Sequence, residues 1–91
     1  MANVMDIDNR RFVALRPAIE EMGGKVVWDN SQKQATIDLN GRNTVVTMAD
    51  ENASFDGKVL TLSSPPMVKD GTLYVPEDFF PAILNAQNPF M

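Results

Sequence analysis

Between residues 33 and 39 the chain alternates: Ala35, Ile37 and Leu39 fall on one side, Thr36 and Asp38 on the other. That period of two predicts a half-buried strand. Asn40-Gly41 follows, a dipeptide suited to a two-residue hairpin turn with positive φ at both positions. Such a turn opposes Leu39 to Arg42, Ile37 to Thr44 and Ala35 to Val46. Opposed residues share a face, so Val46 and Met48 are expected to join Ala35 and Ile37 in the core. Upstream, residues 25–28 read as another strand and residues 29–32 as its turn. A four-residue loop puts Val26 and Trp28 on the core face, whereas a five-residue loop would put Val27 there. The shorter loop is favoured because it buries the larger apolar set.

Two further turns carry the same signature. Asp56-Gly57 sets Phe55 opposite Lys58 and Ala53 opposite Leu60, with Leu62 extending that face. Asp70-Gly71 pairs Met67 with Tyr74 and Val68 with Leu73. Pro65-Pro66, between them, breaks the ladder because neither residue can donate a bond.

Helical signals are short. Residues 11–15 read as an apolar strand, and Pro17 suits the first helical turn, where its missing N–H costs nothing. Ala18, Ile19 and Met22 then offer one apolar face, with Glu20 and Glu21 on the wet side. Gly23-Gly24 stops the helix. With barely two turns, it must be held by packing rather than propensity. A second short helix is expected with Asp78 as N-cap, Pro81 in the first turn, and Ala82, Ile83 and Leu84 continuing it. A start at Pro76 would force Pro81 into the interior at a cost of about 3 kcal/mol. A weak internal repeat links the two ends: RRFVALRPAIEEMGG and TLYVPEDFFPAILNA place Phe12-Val13 and Tyr74-Val75 62 residues apart. The first ten residues read as polar and loose.

Composition narrows the function classes. With 44% hydrophobic and 22% charged residues, wholesale disorder is not expected. Ninety-one residues make a single domain: 1–9 flexible, 10–85 core, 86–91 tail. No apolar run approaches the roughly 20 residues that cross a bilayer. The start, MANVMDIDNRR, lacks the basic and apolar regions of a signal peptide, as would a mature or excised domain with an added Met. The net charge of −4 and eight scattered basic residues argue against nucleic acid as a partner. Neither Cys nor His occurs, so disulfides, thiolate metal sites and the commonest general base are absent.

Candidate chemistry is thin. The stretch from Asp50 to Gly57 spaces oxygen ligands like a calcium loop, but Phe55 and Thr61 stand where an EF-hand needs Gly and Glu. A solvated loop entering a hairpin is the better reading. Glu20 and Glu21 point about 100° apart on a helix and do not converge on one proton. Ser63-Ser64 has no histidine to activate it. Asn52-Ala53-Ser54 fits a glycosylation acceptor, relevant only in a eukaryotic secretory chain. Trp28, Tyr74, Phe79, Phe80 and Phe90 could form an aromatic surface, although core packing is the better reading of Trp28. Adjacent helical residues cannot both face one core, so one of Phe79 and Phe80 is expected at an edge or interface. Tyr74, Phe79 and Phe80 are the candidate contact residues.

The order of NRRFVALRPAIEEMGGKVVWDNSQKQATI and then ASFDGKVLTLSSPPMVKDGTLYVP resembles the copper amine oxidase N-terminal-like domain of many bacterial surface proteins. Val13, Leu15, Arg16, Gly23, Trp28 and Asp29 match its first part. Phe55-Asp56-Gly57-Lys58, Pro65-Pro66, Gly71, Val75 and Pro76 match its second. The resemblance spans roughly residues 9–84. Ala14 replaces an expected Pro, Glu77-Asp78 replace Leu-Arg, and Phe79-Phe80-Pro81 departs from the usual Ala/Glu-rich helix.

The resemblance implies an antiparallel sheet of about five strands wrapped around a short α-helix; with the second short C-terminal helix read above, the expected fold is α+β. It also implies a stalk-type domain remote from copper. The oxidase centre uses three His ligands and a quinone made from Tyr, and this chain has no His and a single Tyr in Leu73-Tyr74-Val75. The expectation is therefore a non-enzyme without cofactor or metal. It would act as a module of a bacterial cell-surface or wall-associated protein, contacting another protein or a cell-wall polymer. Neither nucleic acid nor membrane insertion is expected, and homo-oligomers remain open. The alternative is a self-contained protein-binding or inhibitory domain without wall association, which a Met1 start without an export signal slightly favours.

Overall fold

The computed structural model describes residues 4–87, and among them the chain is α+β with two antiparallel sheets and two short helices. In chain order the elements are β1 (Val4–Ile7), β2 (Arg10–Ala14), α1 (Leu15–Glu21), β3 (Lys25–Asp29), β4 (Gln34–Leu39) and β5 (Arg42–Thr47). They continue with β6 (Asn52–Phe55), β7 (Lys58–Thr61), β8 (Met67–Lys69), β9 (Thr72–Pro76) and α2 (Phe79–Gln87). One sheet has the order β1-β2-β9-β8 and the other is a meander, β3-β4-β5-β6-β7. The expectation of one sheet of about five strands is thus corrected to a four-stranded and a five-stranded sheet. The physical reason is punctuation. Helix α1 follows β2 without a linker, and Pro65-Pro66 interrupts the ladder after β7, so the meander is cut off from both ends of the chain. Helix α1 packs on β2, β3 and β9, so both sheets contribute to its bed.

The meander follows the pattern of the sequence. Asn40 and Gly41 take φ 55° and 75°, and Leu39↔Arg42, Ile37↔Thr44 and Ala35↔Val46 oppose one another as expected. Ala53↔Leu60 and Phe55↔Lys58 do the same. Val26 and Trp28 share the inner face, and Val27 is 65% exposed. The loop has four residues, as favoured, but begins one residue later, pairing Asp29 with Gln34 and Trp28 with Ala35. Lys33 ends it at φ 55°. The shift is two residues in register, which leaves every side chain on its intended face.

The four-stranded sheet turns the weak repeat into a structural one. Its central strands pair as Phe12↔Pro76, Val13↔Val75 and Ala14↔Tyr74, a register symmetric about Val13 and Val75. Each central strand belongs to a hairpin that a helix follows. The β8–β9 pairing is as expected, Met67 opposite Tyr74 and Val68 opposite Leu73. Its counterpart corrects the reading of the first residues as loose: Val4–Ile7 is a strand, with Val4↔Val13 and Ile7↔Arg10. Asp8 and Asn9, at φ 51° and 65°, make its two-residue turn; both types tolerate that region better than most.

The core joins Leu15 and Ile19 of α1 to Val26, Ala35, Ile37, Leu39, Val46, Ala53 and Phe55 of the meander and to Leu62 just after it, with Val75, Phe79 and Ile83 closing it. Two expected core residues are displaced. Met22 is 40% exposed because α1 ends at Glu21 and Met22 is its C-cap, its N–H bonding Ala18 and Ile19 carbonyls. Leu15, one turn before Ile19, takes its place on the buried face. Met48 is half-buried just beyond β5. The second helix starts at Phe79, which puts Asp78 at the expected cap position and Pro81 in the first turn.

Candidate functional site

Where α1 begins, the two sheets part and leave a cleft of about 560 Å³, within the range of small-ligand sites. Val26, Trp28, Ala35 and Met48 line it from the meander, and Val68, Leu73 and Tyr74 from the β8–β9 hairpin. Its polar lining is Arg16, Asn30, Lys33 and Thr72. Arg16, on α1, is fixed against β3: Nη1 donates to the Val26 carbonyl at 2.7 Å and lies 3.6 Å from Glu20 Oε2 one turn along the helix. Lys33 Nζ donates to Asn30 Oδ1 at 2.9 Å.

Asp29 organises the turn at one end of the cleft. Its Oδ1 accepts from the Ser31 hydroxyl at 2.7 Å and from the N–H groups of Ser31 and Gln32 at 3.0 and 3.3 Å. The Ser31 hydroxyl first, then these backbone groups, hold its carboxyl below the ordinary carboxylate range.

The outer face of the meander carries a second feature. Val27↔Thr36, Thr36↔Val45, Val45↔Ser54 and Ser54↔Val59 are successive pairs, so one uncharged row crosses all five strands. Val27 and Val59 are 65% and 76% exposed. With strands about 4.8 Å apart, the row is roughly 20 Å long.

The three expected contact residues do not form one surface. Phe79 is fully buried in the core, which removes it as a contact residue. Phe80 is half-buried, its ring edge-on to Phe79 with centroids 5.3 Å apart, so it is the member of the pair nearer the surface. Tyr74 lines the cleft instead, together with Trp28, which is half-buried against the core rather than enclosed by it. Phe90 lies outside the described residues. Arg16, Lys33 and Met48 went unrecognised as cleft residues because their meeting depends on how the sheets separate, which no local pattern reports. The outer row could have been read by carrying the alternation across successive turns.

Three other acidic groups are engaged within the fold. Asp50 Oδ1 accepts from Asn52 N–H at 2.9 Å, and Asp56 pairs with Arg42 at 3.1 Å. Ser63 donates to Asp78 Oδ1 at 3.0 Å. Among the described residues no three His, Cys, Asp or Glu side chains gather as metal ligands would, and no helix is long and apolar enough to cross a membrane.

The sequence model of the copper amine oxidase N-terminal domain family matches residues 1–88, nearly the whole chain. No curated protein matches it.

Proposed function

We propose, from the premise that this chain belongs to the copper amine oxidase N-terminal domain family, that it is a non-catalytic structural or binding module of a bacterial cell-surface or wall-associated protein. The uncharged row across the meander carries this reading. A Val-Thr-Val-Ser-Val line with two strongly exposed valines is an uncharged surface that gains by being covered. Its occupant on this reading is a wall polymer or a neighbouring wall protein. The absence of His from the whole sequence agrees with a module that leaves copper chemistry to other domains.

Retention on purified bacterial cell walls tests it. Because the row is uncharged, binding is expected to persist in 1 M salt, where exposed charge pairs are screened within about 3 Å. Val59→Lys should weaken retention several-fold while changing stability by no more than about 0.5 kcal/mol. Absence of retention, or loss of it in salt, would overturn wall binding and leave a partner protein without wall association as the reading to pursue.

A further inference from the structure

The geometry points to the cleft between the sheets as a binding site for an extended acidic peptide, a function separate from contact through the outer face. Three independent observations converge on that chemistry.

The first is charge. The chain holds twelve carboxylate side chains against eight basic ones, yet the charged residues lining the cleft are Arg16 and Lys33, with no Asp or Glu in the lining itself. Glu20 shares the Arg16 guanidinium from outside the lining. An occupant bringing carboxylates meets Lys33, which donates to the neutral Asn30, and the Arg16 guanidinium shared with Glu20, whereas a basic one meets repulsion at Lys33.

The second is backbone. Strand β3 is an edge of the meander and β8 an edge of the other sheet, and both contribute residues to the cleft. The Val26 carbonyl points off the β3 edge, since Arg16 donates to it. Outward groups alternate in an antiparallel ladder, so the N–H and C=O of Trp28 point the same way. No partner for them is found among the described residues. A peptide backbone running antiparallel to β3 supplies the missing donor and acceptor, as in strand addition. An acidic glycan would match the charge, but its hydroxyls lack the regular strand spacing of peptide N–H and C=O groups.

The third is the apolar lining. Trp28, Met48, Leu73 and Tyr74 give the cleft an apolar lining that an aliphatic side chain of the occupant would cover. Met is suited to such a place because its unbranched thioether adapts to different shapes.

Trp28 is the only tryptophan, so its fluorescence reports the cleft directly. The full chain is titrated with a synthetic Glu-Glu-Leu-Glu-Glu peptide, its Lys-Lys-Leu-Lys-Lys counterpart and an oligogalacturonate. Saturable change with the acidic peptide, at least tenfold weaker with the basic one, is the expected result. Lys33→Glu should weaken the acidic peptide by about tenfold, with circular dichroism confirming an unchanged fold. Val59→Lys on the outer face should leave this titration unchanged even where it abolishes wall retention, which separates the two proposals. No saturation with the acidic peptide, equal affinity of Lys33→Glu, or binding of the oligogalacturonate alone would each overturn the inference.

Discussion

Gly24 sits at a close approach between helix and sheet. A Cβ built there would stand 2.7 Å from Ile19 Cγ2, 2.8 Å from the Asp38 carbonyl oxygen and 3.0 Å from Leu39 Cδ1. The carbonyl belongs to β4 and cannot swing aside, so Gly24→Ala should cost about 1–3 kcal/mol by overpacking. Its neighbour Gly23 meets nothing within 4 Å but sits at φ 92°, so Gly23→Ala costs only backbone strain, on the order of 1 kcal/mol. Urea unfolding of the two variants checks the difference, and equal losses would show that the close contact is relieved by movement of α1. Sequence reading recognised the Gly-Gly pair as a helix stop. The separate reasons for the two glycines were not legible, because the second depends on β4, fourteen residues away in the chain.

At the scale of elements, turns were the legible part. Asn40-Gly41, Asp56-Gly57 and Asp70-Gly71 each sit in the positive-φ region and set their strand registers, because the dipeptides favour that geometry almost without help. The β3–β4 turn is different, since Lys33 carries no such signal and takes φ 55° only because Asp29 gathers Ser31 and Gln32 beneath it. This hairpin should therefore respond to acid. The Asp29 carboxyl is depressed below 3.8 in the folded chain, so its contribution is fully present above that value and is lost as pH falls through the folded pKa. Asp29→Asn should flatten the acid limb of a stability–pH curve without shifting its alkaline side. A carbon-detected NMR titration that found the Asp29 carboxyl at or above 3.8 would sink this account. Strand β1 escaped the sequence reading for a related reason: Asp8-Asn9 is a weaker turn signal, and alternating Asp6 and Ile7 beside it look like a polar tail.

The division into two sheets belongs to the whole molecule, and it explains what was missed. Local pattern identifies a meander from its consecutive hairpins, but nothing in residues 10–14 announces that their partner is residues 72–76. The 62-residue echo was visible; its meaning, two hairpin–helix units meeting at Val13 and Val75, required the fold. The cleft was hidden likewise, although Tyr74 among the expected contact residues does lie in it. Contacts within the meander are local, while β2–β9 closes a long loop, and loop closure costs entropy before it is rewarded. Val46→Ala in the meander should therefore slow folding, whereas Val75→Ala should mainly speed unfolding. Chevron plots of the two variants decide the order, and a reversal of these effects would mean that the chain ends join first.

During synthesis β2 emerges long before β9, so one side of it stays open until residues 72–76 have been made. The protein cannot close its smaller sheet early. The five-stranded meander needs neither β2 nor β9 for its own pairing, so it can form while that side of β2 still waits.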